Sequence, residues 1–328
     1  MSGNMDNLVV SSSPHIKTTS GISNAMLDVL LALTPALILS LFYFRWAAAS
    51  VILVSVITAV LSEYICQKVM KKDITINDYS AAVTGLLLAF TLPPGLPLWI
   101  TAVGAASAIV IAKHFFGGLG NNIFNPALIG RAILVASWPV AMTTWIRPLD
   151  GITTATPLGL IKEADKLKAL GDLVGAEKLF AELPTLANAF LGNISGSLGE
   201  TSAIALLLGG LYLLYKGHID WRIPGTYLGT VFALTTIIGF VTGQGFWYPV
   251  FHLLTGGLFL GAFFMATDWV TTPITKKGRI IFGLGCGLLT VIIRIKGGYP
   301  EGVCYSILLM NCVTPLIDRY TKAKVFGR

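Results

Sequence analysis

Ten apolar stretches, most of them close to the length of a bilayer crossing, constrain this 328-residue chain more than any other feature. They run over 26–44, 46–65, 79–92, 97–114, 122–141, 199–215, 223–243, 248–267, 279–295 and 300–317. A helix that crosses the hydrocarbon core needs about 20 mainly apolar residues. Inside lipid its backbone groups must also be bonded within the protein. Only 12% of the residues are charged, against about 25% in a soluble domain. The expected fold class is therefore an all-α polytopic membrane protein with about ten transmembrane helices, its main partner the lipid bilayer. The net charge of +7 fits cytoplasmic loops of such a chain and does not point to nucleic acid.

The stretch 142–198 interrupts this pattern and divides the chain into five spans on either side. The expected organisation is a cytoplasmic segment 1–25, a first five-helix unit 26–141, a loop 142–198, a second unit 199–317 and a tail 318–328. The third span is short and ends in Leu92-Pro93-Pro94-Gly95-Leu96-Pro97. Proline removes backbone donors and stops a helix, so this span reads as a half-helix that ends inside the protein. The two units look related. Thr84-Gly85 matches Thr255-Gly256, and Lys113 through Gly117-Gly118 parallels Arg294 through Gly297-Gly298. An odd number of spans per unit makes the repeats inverted, and such repeats place sites at their interface, near broken helices.

Basic residues in short loops mark the cytoplasmic side. The side holding the N-terminus receives the clusters at 68–72, 216–222, 276–279 and 319–328, whereas short loops of the other side receive only Arg45, Arg294 and Lys296. Both termini are thus expected inside and 142–198 outside. The first 24 residues lack a basic n-region before a cleavable core, so the first apolar run is expected to remain as a span. Cys66, Cys286, Cys304 and Cys312 are scattered. They read as buried small apolar side chains, with no zinc or iron–sulfur spacing and no metal site expected. Trp46, Trp99, Trp138, Trp145, Trp247 and Trp269 fall near span ends, as an interfacial belt would.

Within the loop lies Asp150-Gly151-Ile152-Thr153-Thr154-Ala155-Thr156-Pro157. One reading is a Thr-rich turn in which Asp150 or Thr153 caps a helix and Pro157 occupies its first turn. The run also resembles the flavinylation motif Asp-x-x-Ser/Thr-Gly/Ser-Ala-Thr, in which a flavin transferase joins the phosphate of FMN to the last threonine. Asp150 opens the motif, Thr153 takes the hydroxyl position, Ala155 matches and Thr156 is the acceptor. Thr154 stands where the motif has Gly or Ser. A charged piece from Lys162 to Glu182 follows and reads as a solvated or interfacial helix.

With these, Ser13-Pro14-His15-Ile16, Asn125-Pro126-Ala127-Leu128-Ile129-Gly130-Arg131 and Ala266-Thr267-Asp268-Trp269-Val270-Thr271-Thr272-Pro273 make the chain resemble the NqrB/RnfD family over nearly its whole length. That family comprises the RnfD components of Rnf electron-transport complexes and the NqrB components of sodium-pumping NADH:quinone reductases. The resemblance implies two inverted five-helix repeats, similar to urea transporters. It implies FMN as a phosphoester on Thr156 and room for non-covalent riboflavin. It implies membrane and peripheral partner subunits in a prokaryotic inner membrane, and passage of electrons while Na⁺ or H⁺ crosses. No complete reaction is expected of this chain alone. No dinucleotide Gly fingerprint or P-loop is present, which assigns NADH oxidation elsewhere. The rival reading is a urea-transporter-like solute channel without redox chemistry.

Arg131 lies within an apolar run, where a charge is costly and faces a bundle interior or snorkels to an interface. As an interior group it is a candidate flavin or ion contact. Asp78, Glu200 and Glu301 sit at span entrances, where a helix N-terminus favours negative charge. Asp28, Glu63 and Asp268 are further membrane-edge carboxylates, and Asp268 is preferred among them for proton or ion transfer.

Overall fold

The computed structural model describes residues 21–200, 202–298 and 301–322. The Ser13–Ile16 motif lies outside the described residues, as do most of the expected N-terminal segment and the end of the tail. The fold is helical, and each of the ten apolar stretches coincides with a helix, part of one or a broken pair. The first two are joined in α1 (Ile22–Val69), which is 48 residues long. A straight helix of that length would reach about 70 Å, more than twice the hydrocarbon thickness of roughly 30 Å. It is not continuous: Arg45 leaves helical geometry at φ 49° and ψ −124°, where the two expected spans meet.

The third stretch becomes the short helix α2 (Ser80–Phe90). It stops before the Pro-rich turn, as its prolines require. The chain continues as α3 (Leu98–Ser107), which runs into a π-helical segment Ala108–His114, and α4 (Pro126–Ser137). Asn125 caps α4 by accepting from the Leu128 amide at 3.3 Å, and Pro126 fills its first position. A single turn α5 (Pro139–Met142) leads into the hairpin β1 (Trp145–Ile146) and β2 (Thr153–Thr154). Three polar-faced helices follow: α6 (Pro157–Ala169), α7 (Leu173–Ala181) and α8 (Leu186–Leu191). The single charged helix expected over 162–182 is therefore two, because Gly171, at φ 85°, turns the chain between them.

The second half contains α9 (Ala203–Lys216), α10 (Arg222–Val241), α11 (Trp247–Leu254), α12 (Leu258–Leu260) with its π-helical continuation Gly261–Met265, α13 (Lys276–Lys296) and α14 (Val303–Tyr320). Among the described residues three helices are long and apolar enough to cross a membrane, and the pair Trp247–Leu254 and Leu258–Met265, bent by 62°, makes a fourth if taken as one broken span. The exposed side chains along them, such as Ile38, Phe42, Leu53, Ile237 and Leu288, are apolar. That is the surface of a multi-pass membrane protein.

One buried core joins both halves. Helices approach closely where glycine permits: a Cβ on Gly85 of α2 would lie 2.8 Å from the Val56 Cα of α1. Two compositional expectations are corrected. Cys286 and Cys304 are buried, but Cys66 is half-buried and Cys312 exposed. Trp46, Trp99 and Trp269 are exposed as belt residues would be, whereas Trp145 is buried in the hairpin.

Candidate functional site

The Thr-rich motif spans the hairpin and the start of α6. Trp145 pairs with Thr154 and Ile146 with Thr153. The turn between them carries positive φ at Leu149 and Gly151. Neither Asp150 nor Thr153 caps a helix. Thr156 does so: its Oγ1 accepts from the Gly159 amide at 3.1 Å, with Pro157 at the first helical position. Asp150, Thr153 and Ala155 are exposed, while Thr156 is only 6% exposed. Ser195 donates its hydroxyl to the Ala155 carbonyl at 2.8 Å, which fixes the strand before the cap. The Thr154 hydroxyl is buried and has no hydrogen-bond partner.

The helix that Thr156 caps is docked on the second half. Leu158 and Ile161 pack with Tyr248 and Phe251 of α11. Lys162 donates through Nζ to the Gly297 carbonyl at the end of α13. Burial, then the neighbouring Lys166, lowers the pKa of Lys162. Leu158 reaches the break between α11 and α12: a Cβ on Gly256 would collide with its Cδ1 and lie 2.7 Å from Arg294 Nη2. The glycine and its φ of 75° are both required there.

Below this contact lies a buried polar junction. Arg294, 4% exposed, donates to the carbonyls of His252 at 2.6 Å, Thr255 at 3.0 Å, Gly256 at 3.3 Å and Glu301 at 3.0 Å. It thereby satisfies the carbonyls freed where α11 ends. Arg131, 9% exposed, donates to the Thr91 carbonyl at 2.8 Å, just past the end of α2, and forms an ion pair with Glu301. Arg131 thus faces the interior and does not snorkel. Glu301 is a salt-bridge partner, not a helix cap. Glu200 accepts from the Ser197 amide at 3.3 Å and packs against Gly257.

At the other end of the molecule a cavity of about 220 Å³ lies between the halves. Its wall includes Lys113, Asn122, Asn125, Phe263, Asp268 and Trp269. Lys113, 2% exposed, bonds both Glu63 oxygens at 2.8 and 2.7 Å and Ser80 Oγ at 2.6 Å. Asp78, one residue before the N-cap position that Tyr79 occupies, accepts from the Ser80 amide at the start of α2 at 2.8 Å. Asp268 meets Asn122, Val270 and Thr271 only at 3.4 Å. Asp28 bonds Tyr212 and His218, both at 2.7 Å.

In the sequence Lys113 and Arg294 read as loop charges; in the fold both are buried. The available signal was an isolated base before a Gly-Gly pair in each half. The structure links Arg294, Glu301 and Arg131 through hydrogen bonds, brings Leu158, two residues beyond Thr156, against Gly256 beside Arg294, and places Asp268 in the wall of the separate cavity. No group of three or more His, Cys, Asp or Glu residues able to hold a metal occurs among the described residues.

A model of the NQR2, RnfD, RnfE family matches residues 9–327. The chain belongs to this family. It is 54% identical over 322 residues to a Clostridium ljungdahlii protein, covering 97% of this chain and 96% of that one. That relative is named as the D component of a proton-translocating ferredoxin:NAD(+) oxidoreductase complex. The chain is 48% identical to the Na(+)-translocating counterpart of Acetobacterium woodii, covering 98% and 96%. The D component of an ion-translocating oxidoreductase complex from Stutzerimonas stutzeri is 40% identical, covering 94% and 93%. Within the family the match leaves no large part of the chain unaccounted for.

Proposed function

We propose that this family member is the membrane flavoprotein subunit of an ion-translocating electron-transport complex that links ferredoxin and NAD chemistry to a transmembrane ion gradient. The observation that carries the reading is Thr156 at the N-terminus of α6, within a full-length family match. The site fits a phosphoester. The positive end of a helix favours phosphate, the Gly159 amide already points at Thr156 Oγ1, and the orphaned Thr154 hydroxyl offers one more polar contact. FMN held there supplies one- and two-electron transfer. The chain positions it: Asp150, Thr153, Thr154 and Ala155 are the residues a flavin transferase would recognise, and docked α6 then holds the buried Thr156 beside the α11 break. Covalent attachment prevents loss of a cofactor from a membrane surface and leaves its ring to be tuned by surrounding charge.

The same reading takes the two halves as inverted five-helix repeats in the urea-transporter-like arrangement, ten crossings in all. Both termini are cytoplasmic and the Thr156 segment is on the far side of a prokaryotic inner membrane. The cavity near Lys113, Asn122 and Asn125 is the space for a non-covalent riboflavin. Arg131 contributes by holding the inner ends of the helix breaks. Other membrane and peripheral subunits supply and remove the electrons. On a denaturing gel under ultraviolet light the chain fluoresces, Thr154→Gly keeps the signal and Thr156→Ala abolishes it. Fluorescence that survives Thr156→Ala refutes the attachment. A protein with no flavin at all returns the solute-channel reading.

A further inference from the structure

We propose that Arg294 sets the reduction potential of the flavin at Thr156, as a fixed cation beneath the N-terminus of α6; this rests on the assignment of flavin to Thr156. A guanidinium stays protonated in proteins, and this one is buried. Its hydrogen bonds run to four backbone carbonyls and, at 3.5 Å, to His252 Nδ1. Among the described residues no carboxylate bonds it directly, since Arg131 takes the Glu301 carboxylate. The carbonyl dipoles at the end of α11 and the nearby Glu200 and Glu301 carboxylates, the latter paired with Arg131, offset part of the charge. The remainder acts through a medium of low dielectric, where Coulomb interactions are much stronger than in water.

The direction in which that charge acts is set by packing. Leu158, two residues beyond Thr156, and Arg294 Nη2 both press on Gly256. The first turn of α6, which Thr156 caps, therefore packs on the same glycine as the guanidinium. Two buried polar atoms nearby have no partner, Thr154 Oγ1 in the motif itself and His252 Nε2 in the helix that α6 rests on. Buried polar groups are ordinarily satisfied, so this face of the protein has hydrogen-bonding capacity left for a polar group. Reduction adds negative charge to the flavin. A fixed cation below it favours the reduced form, and removing that cation lowers the potential.

The test uses the purified complex, titrated with dithionite and followed by flavin absorbance, for wild type, Arg294→Gln and Arg294→Lys. Covalent fluorescence is expected in all three. In Arg294→Gln the reduced-to-oxidised ratio at fixed poise should fall at least tenfold, about 30 mV for a two-electron couple. Arg294→Lys, which keeps the charge, should stay with wild type. An unchanged potential in Arg294→Gln overturns the proposal. So does an equal fall in both variants, or failure of both to assemble, because either result makes the guanidinium's grip on the α11 carbonyls its whole role. Absence of covalent flavin from the wild type would sink the Thr156 assignment instead, and is seen on the gel before any titration.

Discussion

Arg131 shows how a single residue acquires meaning from its partners. In the sequence it is an expensive charge in an apolar run. In the fold it closes the end of α2 through the Thr91 carbonyl and neutralises Glu301 on the far half. Arg131→Met should therefore strand the Glu301 carboxylate, and breaking a buried pair costs about 3–5 kcal/mol. The thermal midpoint of the purified protein should drop sharply. Replacing both partners, Arg131→Met with Glu301→Leu, should recover most of the loss. If the double variant is no more stable than the single one, the pair is not the reason for the cost. Thr156 makes the opposite point. Its motif was legible, yet the residue that caps α6 is Thr156 itself, since Pro157 behind it makes this the last non-helical position.

At the scale of elements, the broken helices organise the interior. α2 stops at its proline turn, and α11 gives way to α12 at Thr255-Gly256-Gly257. Each break frees carbonyls that an arginine from another helix takes up. α6 is then clamped over the second break by Leu158, Ile161 and Lys162. Asp165 works against that clamp. Burial raises its carboxyl pKa, opposed by Lys168 and by a hydrogen bond from Gln244. The docked state thus binds this proton more tightly than the undocked chain does. Its contribution is complete below the ordinary carboxylate value of about 4 and is lost as pH rises through the raised one. Protease nicking at the Gly171 turn should quicken in the wild type as the pH rises above the ordinary carboxylate value of about 4. Asp165→Asn should flatten that dependence; an equally steep profile in the variant would assign the effect to another group.

For the whole molecule, the arrangement of charged loops predicts a topology that can be read by labelling. In intact cells, a cysteine placed at Lys168 should react with an impermeant maleimide, and one at Lys276 should be protected until the membrane is opened. The reverse pattern would turn the assignment over. The all-helical, multi-pass class was legible because each span must be apolar along its own length, a local demand that sequence records directly. The same holds for the half-helix ending at Pro93 and for the Thr156 motif. What the sequence could not show is which charges meet. Lys113 with Glu63, Arg131 with Glu301 and Arg294 with the α11 carbonyls are 50, 170 and about 40 residues apart. Nothing local distinguishes a buried basic residue near a span end from a loop charge. The fold decides, because a charge withdrawn from water is tolerated only where distant backbone or side-chain groups converge on it.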